Sequence, residues 1–270
     1  MSVSYRTLCG VICFFIAGVG VSESAIPRSE VVIIQDFSGS LDVQSFAEAR
    51  TNLAAELPAL LEELNARRLE VRSFDTDGWQ SRRLLERQLP ELKLPADEAP
   101  QENEALQFEN IREADEKERQ HRRTLKLDEA KKQYASQMAQ QLRGVVPLPA
   151  PPEGYQAASS DVMGMFKYVT TFTANTPTYI IVITDLLDSQ YKELPVQTSA
   201  APNVKLLIIF VPGTPAEVKR SMGRAFTGSQ QFEAQLKQVR QSAPWALMVP
   251  HTARGYRELF KQHAAARKRP

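Results

Sequence analysis

Apolar positions along this chain change rhythm repeatedly. Val31-Val32-Ile33-Ile34, Thr178 to Thr184 and Val204 to Val211 are apolar runs, the first made entirely of β-branched side chains. Such runs predict strands covered on both faces, as in a parallel sheet. Leu69 to Phe74, ending at the turn-prone Asp75-Thr76-Asp77-Gly78, and Trp245 to Val249 predict two further strands. Elsewhere the period lengthens. Phe46, Leu53, Leu57, Leu60 and Leu64 recur three, four and seven apart, which predicts a helix from Val43 to Ala66 with Pro58 marking a kink. Asp161 to Phe172, Pro215 to Gln241 (interrupted around Thr227-Gly228-Ser229) and Thr252 to Ala266 predict three more helices. Strands alternating with helices imply one α/β domain. Its expected architecture is a Rossmann-like, doubly wound, mainly parallel sheet with helices on both faces.

One stretch breaks the alternation, and residues 81–155 are expected to form an insertion into a domain made of 28–80 and 156–266. Pro90, Pro95 and Pro100 punctuate its start. Glu102 to Arg143 then lacks proline and glycine and is dense in Glu, Lys, Arg, Gln and Ala, which predicts a long helix, broken or not near His121 to Thr124, and up to ~60 Å if continuous. Leu106, Ile111, Leu125, Leu127, Tyr134, Met138 and Leu142 are too sparse for a sustained coiled-coil seam. A solvated projection is the plainest expectation, and a partner-binding or oligomerising arm the alternative. Gly144 closes the helix, and Pro147, Pro149, Pro151 and Pro152 stiffen the return path.

The first residues carry a different signal. Arg6 precedes an apolar run from Leu8 to Val21, followed by the small residues Ser22, Ser24 and Ala25. About 14 apolar residues fall short of the ~20 that span a bilayer, so 1–25 is expected to be a Sec-type signal peptide cleaved between Ser22 and Ala25, with an uncleaved N-terminal anchor as the alternative. Both cysteines, Cys9 and Cys13, lie in this segment. A mature chain without them excludes a thiol nucleophile, a disulfide and a Cys-ligated zinc. Export without disulfides points to a periplasmic or cell-envelope setting. A formal charge of +1 across 270 residues gives no global attraction to nucleic acid or acidic lipid, and the basic tail Arg267-Lys268-Arg269 reads as solvated. Membrane contact is therefore expected only through the N-terminal segment.

In a doubly wound sheet, chemistry collects just past the carboxyl ends of the strands. Two such loops hold suitable atoms: Gln35-Asp36-Phe37-Ser38-Gly39-Ser40 after the first strand, and Thr184-Asp185-Leu186-Leu187-Asp188 after a later one. A carboxylate and two hydroxyls at alternate positions can converge on one point, which suits the oxygen shell of a hard divalent cation.

Asp36-x-Ser38-x-Ser40 after an apolar strand, with Ile183-Thr184-Asp185 much later, resembles the von Willebrand factor A domain and its metal-ion-dependent adhesion site. The resemblance spans nearly all of the mature chain outside the insertion. It implies metal ligation by Asp36, Ser38, Ser40 and Asp185, with Ser160 of Ala158-Ser159-Ser160-Asp161 in the place of the family's threonine. It also implies that Asp36 acts through water and that a protein partner supplies a carboxylate to the ion. Mg²⁺ is the first expectation, with Mn²⁺ and Ca²⁺ as alternatives. Leu186 departs from the pattern, standing where a glycine commonly follows the second aspartate.

Competing readings are weaker. Ser38 and Ser40 would merely cap the next helix if Asp36 served only loop amides. A Ser38–His251–Asp185 hydrolase lacks the Gly-x-Ser-x-Gly elbow. A metal-dependent hydrolase or phosphatase would need a general base or cationic clamp, and none stands beside these loops in sequence. A metal-free scaffold whose charged arm does the binding is the remaining alternative. No catalytic residue is expected.

Overall fold

The computed structural model of the chain describes residues 28–74, 82–91, 109–150, 161–171, 176–187, 203–213 and 245–260, together with 237, 241 and 243. The expected signal segment, Ser160 and nearly all of the expected Pro215 to Gln241 helix lie outside these residues.

Six strands form one sheet. They are β1 (Ser29–Asp36), β2 (Ala66–Phe74), β3 (Arg82–Gln88), β4 (Thr178–Thr184), β5 (Val204–Phe210) and β6 (Leu247–Pro250), in the spatial order β3-β2-β1-β4-β5-β6. All neighbours pair in parallel except β2 and β3. The mainly parallel α/β sheet anticipated from the apolar runs is therefore present. The chain order reverses between β1 and β4, which places a crevice at their carboxyl ends. Asp36 ends one of these strands and Asp185 directly follows the other.

Side chains alternate across each strand. Val31 and Ile33 of β1 join one core with Leu53, Leu57 and Leu60 of α1 (Val43–Glu63). Val32 and Ile34 join a second core with Met165, Phe166 and Val169 of α3 (Val162–Thr170). Helix α1 starts at Asp42, whose carboxylate accepts from the Ser45 amide at 2.7 Å. It continues through Pro58, whose own ring is exposed. Asn65, at φ 45°, then turns the chain into β2.

Within the stretch assigned to the insertion, Arg82–Gln88 pairs with β2 and belongs to the sheet. Its sequence, RRLLERQ, shows neither alternation nor a continuous apolar run, because an edge strand is only partly covered. Helix α2 (Glu109–Gln141) is continuous through His121 to Thr124 and, at 33 residues, about 50 Å long. Most of its described side chains are exposed, as a solvated projection requires. Its last turns differ. Tyr134, Met138 and Leu142, then Val145 and Leu148, enter the same core as α1. Gly144 leaves the helix at φ 78°, a conformation glycine adopts without steric cost. Among the described residues, no helix is long and apolar enough to cross a membrane.

Candidate functional site

Three strand ends meet here. The loop after β1 rests on the one after β5, through a bridge between Leu41 and Gly213 and an Asp42 amide donating to the Pro212 carbonyl at 3.2 Å. The Val211 amide donates to the Thr184 carbonyl at 3.0 Å, which ties the β5 end to the β4 end.

Asp36 is fully buried, and both its oxygens are engaged. Oδ1 accepts from the Ser38 amide at 2.9 Å and Oδ2 from the Thr184 hydroxyl at 2.8 Å. That hydroxyl in turn accepts from the Leu186 amide at 2.9 Å. Thr184 thus links the two loops, a role the motif did not assign. Its signal was present in the sequence: a polar residue at the end of an apolar strand, immediately before the second aspartate.

Ser38 and Ser40 face each other with their hydroxyl oxygens 3.1 Å apart. Both are nearly buried, and neither caps α1, because Asp42 does. The capping explanation of the serines therefore falls. Asp185 is fully buried as well. Its Oδ1 accepts from the Leu187 amide at 3.0 Å, whereas Oδ2 has no hydrogen-bond partner among the described residues. Burial, followed by the negative charge of Asp36, raises the Asp185 carboxyl to about 8, while the Ser40 hydroxyl pulls it the other way. The groups acting on this carboxyl are all anionic or neutral.

Leu186 accounts for its own departure from the motif. Its φ is 59°, in the left-handed region where a Cβ costs roughly 1–2 kcal/mol and glycine costs nothing. The leucine side chain is 1% exposed in the α3 core, and that burial offsets the strain. Asp161 is the N-cap of α3 and accepts from the Gly164 amide at 2.8 Å. Of the five expected ligands, the structure describes Asp36, Ser38, Ser40 and Asp185. It brings the two serines together and joins the aspartate loops through Thr184.

His251 is engaged elsewhere. Its Nε2 lies 3.8 Å from a Glu48 carboxylate oxygen, and its carbonyl accepts from Asn52 at 3.3 Å. Among the described residues no hydrogen bond joins it to Ser38, so the hydrolase arrangement is not formed.

The donor set suits a hard cation: two buried carboxylates, two facing hydroxyls, and an orphaned buried carboxylate oxygen. Among the described residues there is no cluster of three or more His, Cys, Asp or Glu side chains, so any ion here would depend on hydroxyls and water as much as on carboxylates.

No family model matches this sequence, and no curated protein matches it. The solved structures to which this chain is similar include two that follow. One is the conserved hypothetical protein BatB from Bacteroides thetaiotaomicron, at 11% identity over 88% of this chain and 98% of that one, with a TM-score of 0.38. The other is proximal thread matrix protein 1 from the mussel byssus, at 9% identity over 88% of this chain and 47% of that one, with a TM-score of 0.32.

Proposed function

We propose that Asp36, Ser38, Ser40 and Asp185 hold a divalent cation, Mg²⁺ first among them, and that the chain is an exported binding module of the von Willebrand A type. Ser160 joins this set on sequence grounds alone. The observation that carries the reading is the fully buried Oδ2 of Asp185, without a hydrogen-bond partner among the described residues, on a carboxyl that the charge of buried Asp36 acts on. Two carboxylates removed from water repel each other; without an ion Asp185 keeps a proton, and a divalent ion would take that proton's place and relieve both the repulsion and the desolvation. Asp36, its two oxygens already holding an amide and a hydroxyl, suits an ion reached through water, with Ser38 and Ser40 binding directly. When bound, the ion offers an electrophilic coordination position to an oxygen ligand, and a carboxylate from a protein partner is the ligand that charge favours. Export to a cell envelope follows from the N-terminal segment and belongs to the same proposal.

Calorimetric titration of the full chain with MgCl₂ and MnCl₂ tests it. The expected result is one ion per chain, with affinity lowered about 100-fold or more in a Ser38→Ala/Ser40→Ala variant that keeps its fold. Equal affinity in the variant and the parent would refute the assignment.

A further inference from the structure

We infer that Gln35 and Arg50 are positioning residues that latch the base of the α2 arm to the Asp36 loop, so that events on the arm and events in the loop influence one another. Gln35 immediately precedes Asp36 and is fully buried, yet its side chain serves neither the sheet nor the candidate ligands. Its Nε2 donates to the carbonyl of Pro149, on the path returning from α2, at 3.1 Å. Its Oε1 accepts from Arg50 Nε at 2.9 Å, and the same guanidinium donates to the Leu148 carbonyl. Two side chains on β1 and α1 thus hold two consecutive carbonyls at the foot of the arm.

The connection continues into the loop. The Arg50 guanidinium lies over the Phe46 ring, 5.6 Å from its centroid. Phe46 meets Phe37 edge to face, with centroids 6.2 Å apart and planes at 89°. Phe37 is the residue between Asp36 and Ser38, so the chain of contacts starts at the arm's return path and ends inside the site loop. Phe37, Phe46 and Leu148 belong to a single core that also contains Tyr134, Met138 and Leu142 of α2. Burial lowers the Arg50 pKa from its ordinary value, and its described acceptors are neutral dipoles, so the guanidinium depends on them. Such a latch has two states. It is made or broken at its Gln35 end, which is fully buried, because losing a partner there strands the amide at a cost larger than the bond itself contributes. A contiguous element with two states is what coupling between sites requires, and the coupling is reciprocal.

The link stands independently of the metal assignment, and only its response to an ion rests on that reading. Amide hydrogen exchange on the full chain tests it. In Arg50→Met, Val145 and Val146 at the foot of the arm and Phe37 and Ser38 in the loop are expected to exchange about tenfold faster together, while Ile181 and Val182 of β4 do not change. Acceleration at Val145 and Val146 alone would reduce the latch to a local anchor and overturn the inference. Phe46→Leu is a second, gentler variant in case Arg50→Met does not fold. It is expected to free Phe37 and Ser38 while Val145 and Val146 stay protected, and unchanged exchange at Phe37 and Ser38 would equally overturn it. Mn²⁺ added to the parent chain is expected to slow exchange at Val145 and Val146, and to lose that effect in Arg50→Met. Bound Mn²⁺ that leaves Val145 and Val146 unaltered contradicts the coupling. If calorimetry shows no Mn²⁺ binding, the metal reading alone falls, and the two variants still decide the latch.

Discussion

Glu70 and Asp185 are both carboxylates removed almost wholly from water, 3% and 0% exposed, and the chain surrounds them in opposite ways. Glu70, near the β3 edge of the sheet, receives Arg72 at 2.6 Å, Arg68 at 2.8 Å and Arg83 at 2.9 Å. Arg68 and Arg83 also pair with Glu86, and Arg72 stacks on Tyr168 of α3 at 4.9 Å. The charge is neutralised within the protein, and the whole network fixes β3 to β2. Asp185, in the loop after β4, receives the Leu187 amide and is acted on by the neutral Ser40 hydroxyl and the negative charge of Asp36. A carboxylate that only holds a fold together is furnished with its own cations. One left beside a second anion is where the proposed function puts an external cation, and this contrast supports that proposal.

The comparison breaks most visibly at Glu70. Replacing it with Gln leaves three arginines without their shared anion, and the expected loss is about 3–5 kcal/mol in urea unfolding, the same with and without Mg²⁺. A loss that Mg²⁺ repairs would mean the two regions are not separate.

Asp185→Asn is expected to go the other way. In EDTA at pH 8 it should stabilise the chain by about 3 kcal/mol, because a buried charge is removed while the amide carbonyl can still accept from Leu187. The pH dependence has the same origin. With its folded pKa raised to about 8 by burial and Asp36, the folded chain holds a proton that the unfolded chain has released. This contribution is complete below about pH 4 and is lost as pH rises toward 8, so metal-free stability should fall across that window. Millimolar Mg²⁺ should flatten or reverse the slope in the parent and do nothing in Asp185→Asn, as thermal melts across pH would show. A flat metal-free profile in the parent would remove the electrostatic basis of the site.

The smallest effect concerns Leu186. Truncation to Ala and truncation to Gly both forfeit a buried side chain, but only Gly escapes the left-handed strain at φ 59°. The Gly variant should therefore be the more stable of the two by about 1 kcal/mol, the reverse of the usual order. If the Ala variant is the more stable by chemical denaturation, the loop is relaxed and the substitution for glycine carries no cost.

Much of this was legible along the chain, and the exceptions have physical causes. The unbroken run Val31 to Ile34, the runs starting at Thr178 and Val204, and the spacing of Leu53, Leu57 and Leu60 mark strands and a helix because burial on two faces or on one stripe leaves its period in the sequence. β3 left none, since an edge strand paired on one side and bound by arginines needs no apolar alternation. The burial of α2 was legible only as Tyr134, Met138 and Leu142 in an otherwise charged helix, too short a seam to show which surface it meets. Asp36, Ser38, Ser40 and Asp185 could be picked out by residue type and spacing, and the structure places them in the loops after β1 and β4. Thr184 left a signal in its place before Asp185, whereas Gln35 and Arg50 left none, because their roles come from what lies opposite them.

By itself, then, the sequence determined a mainly parallel α/β sheet, a long charged helix and two oxygen-rich loops after buried strands, because local period and residue type suffice for these. Only the tertiary structure decided that both Asp36 oxygens are occupied, that Asp185 has an oxygen with no hydrogen-bond partner among the described residues, and that Gln35 reaches Pro149 across 114 positions of chain. Those facts depend on which groups are brought together when water is expelled, and hydrogen bonds between distant residues leave no period in the sequence to announce them.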